Sequence, residues 1–181
     1  MKILVIIPAK LDSKRLFQKN LSIINGKTLV EHSIEYAKNS KHLPTIIISS
    51  ESEIMNEIAS KNDVLYHKRS TDLCGDTEVV DVYINLIKNL DEKYDIVVGL
   101  QPDNPDRVNT LDDCIEYMVS NNYDDIITID ESYRRSGAIR LFKYSHLVNE
   151  HVSKRIGCIK ETATDIHTKD DLEKLKNRIN E

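Results

Sequence analysis

The sequence reads KILVIIPA over residues 2–9, with its longest apolar run from Ile3 to Pro8. Most of these residues are β-branched, and such a run is typical of a strand that is covered on both faces of a sheet. The run is far shorter than the ~20 apolar residues that a membrane-spanning helix needs. We therefore expect a central buried strand here and no membrane partner.

Strand and helix patterns alternate along the chain beyond this run. Further strands are predicted at 45–49, 64–66, 96–100, 126–129 and 138–142, and helices at 29–40, 54–61, 79–90, 110–120 and after Thr168, a suitable N-cap residue. This alternation indicates an α/β fold with a mostly parallel central sheet and helices on both faces. With 181 residues and no linker-like segment, we expect a single domain spanning 1–181.

Composition excludes several classes of function. The formal net charge of -5 argues against a nucleic-acid partner bound by charge alone. The three cysteines, Cys74, Cys114 and Cys158, have neither a zinc-site spacing nor an even number for disulfides, which predicts a reducing, cytoplasmic location. The five glycines are too dispersed for a dinucleotide-binding fingerprint or a Walker-type phosphate loop.

A cationic cluster follows the first strand. Lys10, Lys14, Arg15 and Lys19 lie within ten residues, together with the hydroxyl of Ser13. Ligands of open α/β sheets bind at the carboxyl ends of the strands, which is where this cluster falls. The pattern favours binding of an oligophosphate, and the alternative is a solvated, lysine-rich loop.

Four stretches of the chain carry a family resemblance. They are residues 7–29, which contain IPAKLDSKRLFQKNL and NGKTL, 69–77 (RSTDLCGDT), 100–107 (LQPDNPDR) and 165–172 (DIHTKDDL). In order and spacing they resemble the motifs of the CMP-sugar-acid synthetases, the acylneuraminate cytidylyltransferases, and the related 3-deoxy-manno-octulosonate cytidylyltransferases. The resemblance covers nearly the whole chain. It implies a Rossmann-like nucleotidyltransferase fold and an enzyme that transfers CMP from CTP with release of pyrophosphate.

The resemblance also implies roles for the matched residues of the nucleotide site. Side chains of the first loop would hold the triphosphate of CTP, and an amide and a guanidinium would read the acceptor atoms of cytosine. The residues implied are Lys10, Ser13, Lys14 and Lys19 for the phosphates, and Asn20 and Arg69 for the base. Of these, Lys14 and Lys19 are expected to take part in catalysis.

The acceptor and metal sites are implied by the later motifs. Gln101 would face the acceptor sugar and Arg134 would pair with its carboxylate, unless Arg134 is merely an exposed turn residue. Asp103 and the catalytic Asp165 would hold Mg²⁺, with Mn²⁺ as the alternative, since such cations take oxygen ligands. For Asp103 the alternative is a carboxylate that caps the following loop.

Two substitutions depart from the family pattern. Lys10 stands where the family usually has arginine, which keeps the charge but loses a bidentate contact. His167 stands where a second aspartate is expected, and imidazole is a poor ligand for Mg²⁺. Either Asp103 and Asp165 hold the metal alone, or a softer ion such as Mn²⁺ is tolerated, or His167 contacts the substrate, or His167 caps the last helix.

Length is the third departure. Only seven residues separate Ile129 from Gly137, where sialic-acid-activating members insert a long dimerisation arm. Any homodimer would then use a different interface, and the acceptor could be smaller than a nine-carbon sugar. We expect a cytidylyltransferase that activates an acidic sugar for polysaccharide synthesis. The alternatives are activation of a phosphonate or other small phosphorylated acceptor, and a catalytically silent nucleotide-binding homologue.

Overall fold

The computed structural model describes residues 1–13, 15–74 and 77–180. The strands are β1 (Ile3–Pro8), β2 (Ile23–Ile24), β3 (Lys27–Thr28), β4 (Thr45–Ser50), β5 (Leu65–Lys68), β6 (Ile96–Gly99), β7 (Asp125–Ile129), β8 (Arg135–Lys143) and β9 (Ile156–Lys160). The helices are α1 (Leu29–Lys38), α2 (Glu53–Lys61), α3 (Val79–Lys88), α4 (Leu111–Ser120), α5 (Tyr144–Val148) and α6 (Lys169–Asn180).

Seven strands of the described chain form one sheet in the order β5-β4-β1-β6-β8-β7-β9, and β2 and β3 form a separate hairpin. β1 pairs in parallel with β4 on one side and β6 on the other. β8 is antiparallel to both of its neighbours, whereas β9 is parallel to β7. The predicted mostly parallel sheet is confirmed, and the predicted central strand lies within it.

The core lies on both faces of this sheet because side chains alternate along β1. Val5 and Ile7 pack into a cluster with residues of α1, α2 and α4. Leu4 and Ile6 face the other way, toward α3 and α5. Each of these four side chains is fully buried, and burial of one such side chain contributes about 1.5–3 kcal/mol. The predicted placement of helices on both faces is confirmed.

The last helix begins as predicted. The Thr168 hydroxyl accepts a hydrogen bond from the Asp171 amide, and the Asp171 carboxylate accepts one from the Thr168 amide, so the two residues form a reciprocal cap. Leu172 and Leu175 then pack on Ile166 in a third apolar cluster. This packing fixes the segment that precedes α6, which matters for the site described below.

Five elements differ from the sequence-based expectation. β8 begins at Arg135 rather than 138, and β2, β3, β9 and α5 were not predicted. β9 is an edge strand whose side chains are largely exposed, so it lacks a continuous apolar run. α5 has five residues, too few for helical periodicity to be visible.

The connection between β7 and β8 consists of residues 130–134. The Asp130 carboxylate accepts hydrogen bonds from the amides of Ser132 and Arg134 at 2.8 and 2.9 Å, which closes a tight turn. The expected short connection at this place is therefore present. None of the described helices is both long and apolar enough to cross a bilayer.

A buried contact at the end of β6 gives a test of this packing. A β-carbon at Gly99 would lie 2.2 Å from the hydroxyl oxygen of Tyr83, whose ring is 3% exposed. Because the ring has little room to move, Gly99→Ala should lower the free energy of unfolding by about 1–3 kcal/mol. Urea-induced unfolding measures this loss. The exposed Ser120→Ala is the control and should change stability by no more than about 0.5 kcal/mol. An unchanged unfolding midpoint in Gly99→Ala would contradict the packing described.

Candidate active site

A cleft of about 410 Å³ lies at the carboxyl ends of β1, β5 and β6. Because β1, β4, β5 and β6 are parallel, the segments that follow them meet at one edge of the sheet. Seven of the residues predicted for the site line this cleft: Lys10, Ser13, Lys19, Asn20, Arg69, Gln101 and Asp103. The structure thus brings together residues from three of the four motifs.

The loop after β1 is held in place by polar contacts. The Asn20 side chain is buried, and its amide nitrogen donates to the Lys10 carbonyl oxygen at 2.8 Å. The Leu11 backbone amide donates to the Glu51 carboxylate at 2.9 Å. These contacts fix both ends of the predicted phosphate loop against the sheet. Lys14, also predicted here, lies outside the described residues.

Arg69 follows β5 and is buried at the floor of the cleft. One terminal nitrogen donates to the Ser49 carbonyl oxygen at 3.1 Å and lies 3.4 Å from the Glu51 carboxylate. Its Nε has no hydrogen-bond partner within the part of the chain that is described. Buried N–H groups are seldom left unpaired in proteins, so this guanidinium suits a ligand that carries acceptor atoms.

Two carboxylates and an imidazole lie together beside the cleft. One ligand atom from each of Asp103, Asp165 and His167 falls within 4.8 Å of the others. The Lys19 ammonium lies 2.6 Å from the Asp103 carboxylate, and Nε2 of His167 lies 2.8 Å from the Asp165 carboxylate. Burial, together with the charge of Asp103, raises the pKa of Asp165 above its usual range. Such a group is electrostatically suited to a divalent cation.

The segment after β9 is joined to the segment after β6 by several hydrogen bonds. The Ile166 amide donates to the Asp103 carbonyl oxygen at 2.9 Å, and the Asn104 side chain donates to the Thr164 carbonyl oxygen at 3.2 Å. The Asp106 carboxylate accepts from both the amide and the hydroxyl of Thr164 at 2.8 Å. These bonds place Asp165 beside Asp103.

A partly buried arginine supports the Gln101 side of the cleft. Arg107 donates to the carbonyl oxygens of Ala138 and Gln101 at 2.8 and 2.5 Å and to the Ser33 hydroxyl at 3.3 Å. Its guanidinium lies over the Tyr36 ring, 5.1 Å from the centroid. Burial lowers the pKa of Arg107 to about 10. Arg107 therefore fixes the backbone of Gln101 against β8.

One predicted site residue lies elsewhere. Arg134 is exposed in the turn between β7 and β8 and does not line the cleft. Its predicted pairing with the acceptor carboxylate stays a prediction, and its position fits the alternative of an exposed turn residue.

Sequence reasoning also missed contributors to the site. Arg15 was expected to bind phosphate only as a member of the cationic cluster and had no role of its own, although it lines the cleft and its charge acts on Asp165. Glu51 links the first loop to Arg69, and only its position directly after a predicted strand could have pointed to it. Arg107 is the last residue of the 100–107 motif. Its hydrogen bonds depend on the tertiary structure, so the sequence alone did not reveal them.

Comparison with known proteins places the chain among nucleotidyltransferases. A family model described as cytidylyltransferase matches residues 4–175. CMP-N,N'-diacetyllegionaminic acid synthase of Legionella pneumophila is 36% identical over 112 residues, which are 59% of this chain and 48% of that protein. Pseudaminic acid cytidylyltransferase of Campylobacter jejuni is 36% identical over 105 residues, 55% of this chain and 45% of that protein. The chain spans about half the length of these curated relatives.

A solved structure shows the same fold over the whole chain. The structure of CMP:2-keto-3-deoxy-manno-octonic acid synthetase complexed with CTP superposes with a TM-score of 0.77 at 13% sequence identity. The alignment covers 99% of both chains. The expected Rossmann-like nucleotidyltransferase fold is therefore confirmed.

The contacts of Arg107 give a second testable prediction. Arg107→Lys keeps the charge but removes the planar fork that reaches three acceptors at once, so at least one charged hydrogen bond is lost. The free energy of unfolding should fall by about 1.5–3 kcal/mol, measured by urea titration. Arg135→Lys, at an exposed position on β8, the strand that Arg107 contacts at Ala138, is the matched control and should be nearly neutral. Equal effects of the two substitutions would refute the supporting role of Arg107.

Proposed function

Because the chain belongs to the cytidylyltransferase family, we propose that it transfers CMP from CTP to an acceptor and releases pyrophosphate. The acceptor we propose is a small acidic molecule, namely an acidic sugar. One observation carries the proposal. Three groups lie together at one edge of the sheet: the cationic loop, the buried Arg69 and the Asp103–Asp165 pair. The cationic loop suits an oligophosphate, Arg69 suits a base with acceptor atoms, and the two carboxylates suit a divalent cation.

The nucleotide is held by the loop after β1 and by Arg69. Lys19, Ser13 and Arg15 line the cleft and offer charged or hydroxyl donors to phosphate oxygens. Asn20 holds the loop through the Lys10 carbonyl, so it organises the phosphate site besides any contact with the base. The Nε of Arg69 has no hydrogen-bond partner among the described residues, and a terminal nitrogen of its guanidinium contacts Glu51; this arrangement suits recognition of the acceptor atoms of cytosine.

A divalent cation fits the two carboxylates. Asp103 and Asp165 would hold it, with Mg²⁺ as the expected ion and Mn²⁺ as the alternative. When bound, such a cation neutralises charge on phosphate oxygens. The Lys19 ammonium contacts the Asp103 carboxylate, and Lys19 also lines the cleft. It can therefore bind either that carboxylate or a phosphate of the nucleotide.

The transfer step needs little covalent chemistry from the protein. An acceptor hydroxyl oxygen bonds to the α-phosphorus of CTP, the bond from that phosphorus to the bridging oxygen of the β-phosphate breaks, and the hydroxyl proton is released. Pyrophosphate leaves and the CMP-acceptor remains. The residues of the cleft hold the two reactants in line and stabilise the charge that develops on the leaving group.

The acceptor is expected on the Gln101 side of the cleft, where Arg107 fixes the backbone. The names of the two curated relatives refer to N,N'-diacetyllegionaminic acid and pseudaminic acid, and an acidic sugar is our first candidate for the acceptor. The short 130–134 connection favours a second candidate, a phosphonate or other small phosphorylated acceptor, because it leaves less protein to enclose a large sugar.

Selectivity for cytosine is the first test of the function. CTP should raise the thermal unfolding midpoint far more than ATP, GTP or UTP, because only cytosine matches Arg69 and Asn20. At ~100-fold excess over its Kd, CTP should stabilise the fold by about 2.7 kcal/mol. Differential scanning fluorimetry with the four nucleotides and the same divalent cation measures this. Shifts of equal size for all four would reject the cytosine assignment.

The phosphate loop is the second test. Lys19→Ala, or Lys14→Ala, should cost on the order of 1.5–3 kcal/mol of CTP binding or transition-state stabilisation, because a charged contact to phosphate is lost. Release of pyrophosphate from CTP with a panel of acidic sugars and phosphonates measures the loss. Lys154→Ala, at an exposed position outside the cleft, is the control. If both loop variants keep normal kinetics, the loop is only a solvated surface. Selective CTP binding without pyrophosphate release would indicate a silent homologue.

A further inference from the structure

His167 completes a mixed set of ligand atoms with Asp103 and Asp165. Across the described ranges, this is the one group of three metal-ligating side chains whose atoms all lie within 4.8 Å of one another. The Asp103 side chain is largely buried, and the side chains of Asp165 and His167 are partly exposed. The group therefore combines two hard oxygen ligands with one imidazole nitrogen.

The imidazole has no other structural task that the described chain reveals. The cap of α6 uses the Thr168 side chain and the Asp171 carboxylate, and His167 joins it only through its backbone amide. The Nε2 atom faces the Asp165 carboxylate at 2.8 Å. The Nδ1 atom is buried and has no hydrogen-bond partner among the described residues. In the 2.8 Å contact the ring proton lies on Nε2, which donates to the Asp165 carboxylate; a cation bound there would take the place of that proton, and the neutral ring would then carry its proton on Nδ1.

We propose that His167 is a third ligand of the divalent cation and makes the site prefer a first-row transition ion to Mg²⁺. This proposal rests on the transfer function above. Mg²⁺ demands oxygen ligands and retains its waters, whereas imidazole binds transition ions well. Mn²⁺ accepts carboxylate oxygens together with nitrogen, and its unpaired electrons make it the natural probe. An aspartate at position 167 would supply a third oxygen ligand and favour Mg²⁺ instead.

Pulsed electron paramagnetic resonance of bound Mn²⁺ tests the ligand assignment directly. The full chain is loaded with Mn²⁺ alone and then with Mn²⁺ and CTP. Electron spin echo envelope modulation should show coupling to a ¹⁴N nucleus in the original protein, and His167→Gln should abolish it. The control is His146→Gln, since His146 is also partly buried but packs edge to face against His151 and does not line the cleft. This control should keep the coupling.

Competition between ions tests the selectivity. The free Mn²⁺ signal reports how much Mg²⁺ displaces half of the bound Mn²⁺. In His167→Asp this Mg²⁺ concentration should fall on the order of tenfold, because removal of even an outer-shell partner of a metal site costs about that much affinity. Thermal unfolding of each variant verifies that it folds. The nitrogen coupling in the unsubstituted protein is measured without any variant, so it tests the proposal even if a variant does not fold.

Three results would overturn the proposal: bound Mn²⁺ without nitrogen coupling, coupling that persists in His167→Gln, or no binding of Mn²⁺ with or without CTP. A weaker affinity of His167→Gln for the acceptor, with no nitrogen coupling in the original protein, would assign His167 to the substrate instead. In each case selective stabilisation by CTP and release of pyrophosphate would still support the transfer function. Loss of that CTP selectivity would defeat the function, whatever the spectrum shows.

Discussion

The close approach of Asp103 and Asp165 is the constraint on which the arrangement of the site depends. Two partly buried carboxylates at this separation repel each other, and burial together with the charge of Asp103 raises the pKa of Asp165. The Lys19 ammonium contacts the Asp103 carboxylate and offsets its charge, and Nε2 of His167 contacts the Asp165 carboxylate. A divalent cation satisfies the same electrostatic demand, and the phosphates of a nucleotide would draw Lys19 toward the cleft. The arrangement of the site thus depends on how the negative charge of the two carboxylates is neutralised by nearby cationic groups.

The fold must hold this repulsive pair together. Asp103 follows β6 and Asp165 follows β9, and two other strands separate β6 from β9 in the sheet. The segment after β9 therefore has to return across the sheet edge. The two segments are joined by hydrogen bonds that backbone amides donate to the carboxylates of Asp106 and of the buried Glu161, and Leu175 packs against Ile166. Removing one buried hydrogen-bonding partner typically costs about 1–3 kcal/mol, so this small network is able to outweigh the repulsion.

The sequence predicted the features that depend on local pattern. The run from Ile3 to Pro8 gave the central strand, and the cationic cluster marked the loop that now lines the cleft. β9 escaped prediction because an exposed edge strand has no continuous apolar run. The hydrogen bonds from Arg107 to Ala138 and from Val108 to Glu161 escaped it too, because they join residues 31 and 53 positions apart and arise only from the tertiary fold. Arg134 matched a motif by position, but the tight turn leaves it exposed.

The central claim is that the paired carboxylates hold a cation beside the phosphates of CTP. A crystal structure of the protein with CTP and Mn²⁺, with anomalous scattering measured at the manganese absorption edge, tests it most directly. The account predicts an anomalous peak that contacts both Asp103 and Asp165 and phosphate oxygens of CTP, with the cytosine against Arg69. CTP bound in the cleft with no cation at these carboxylates, or a peak that contacts neither of them, would contradict the account.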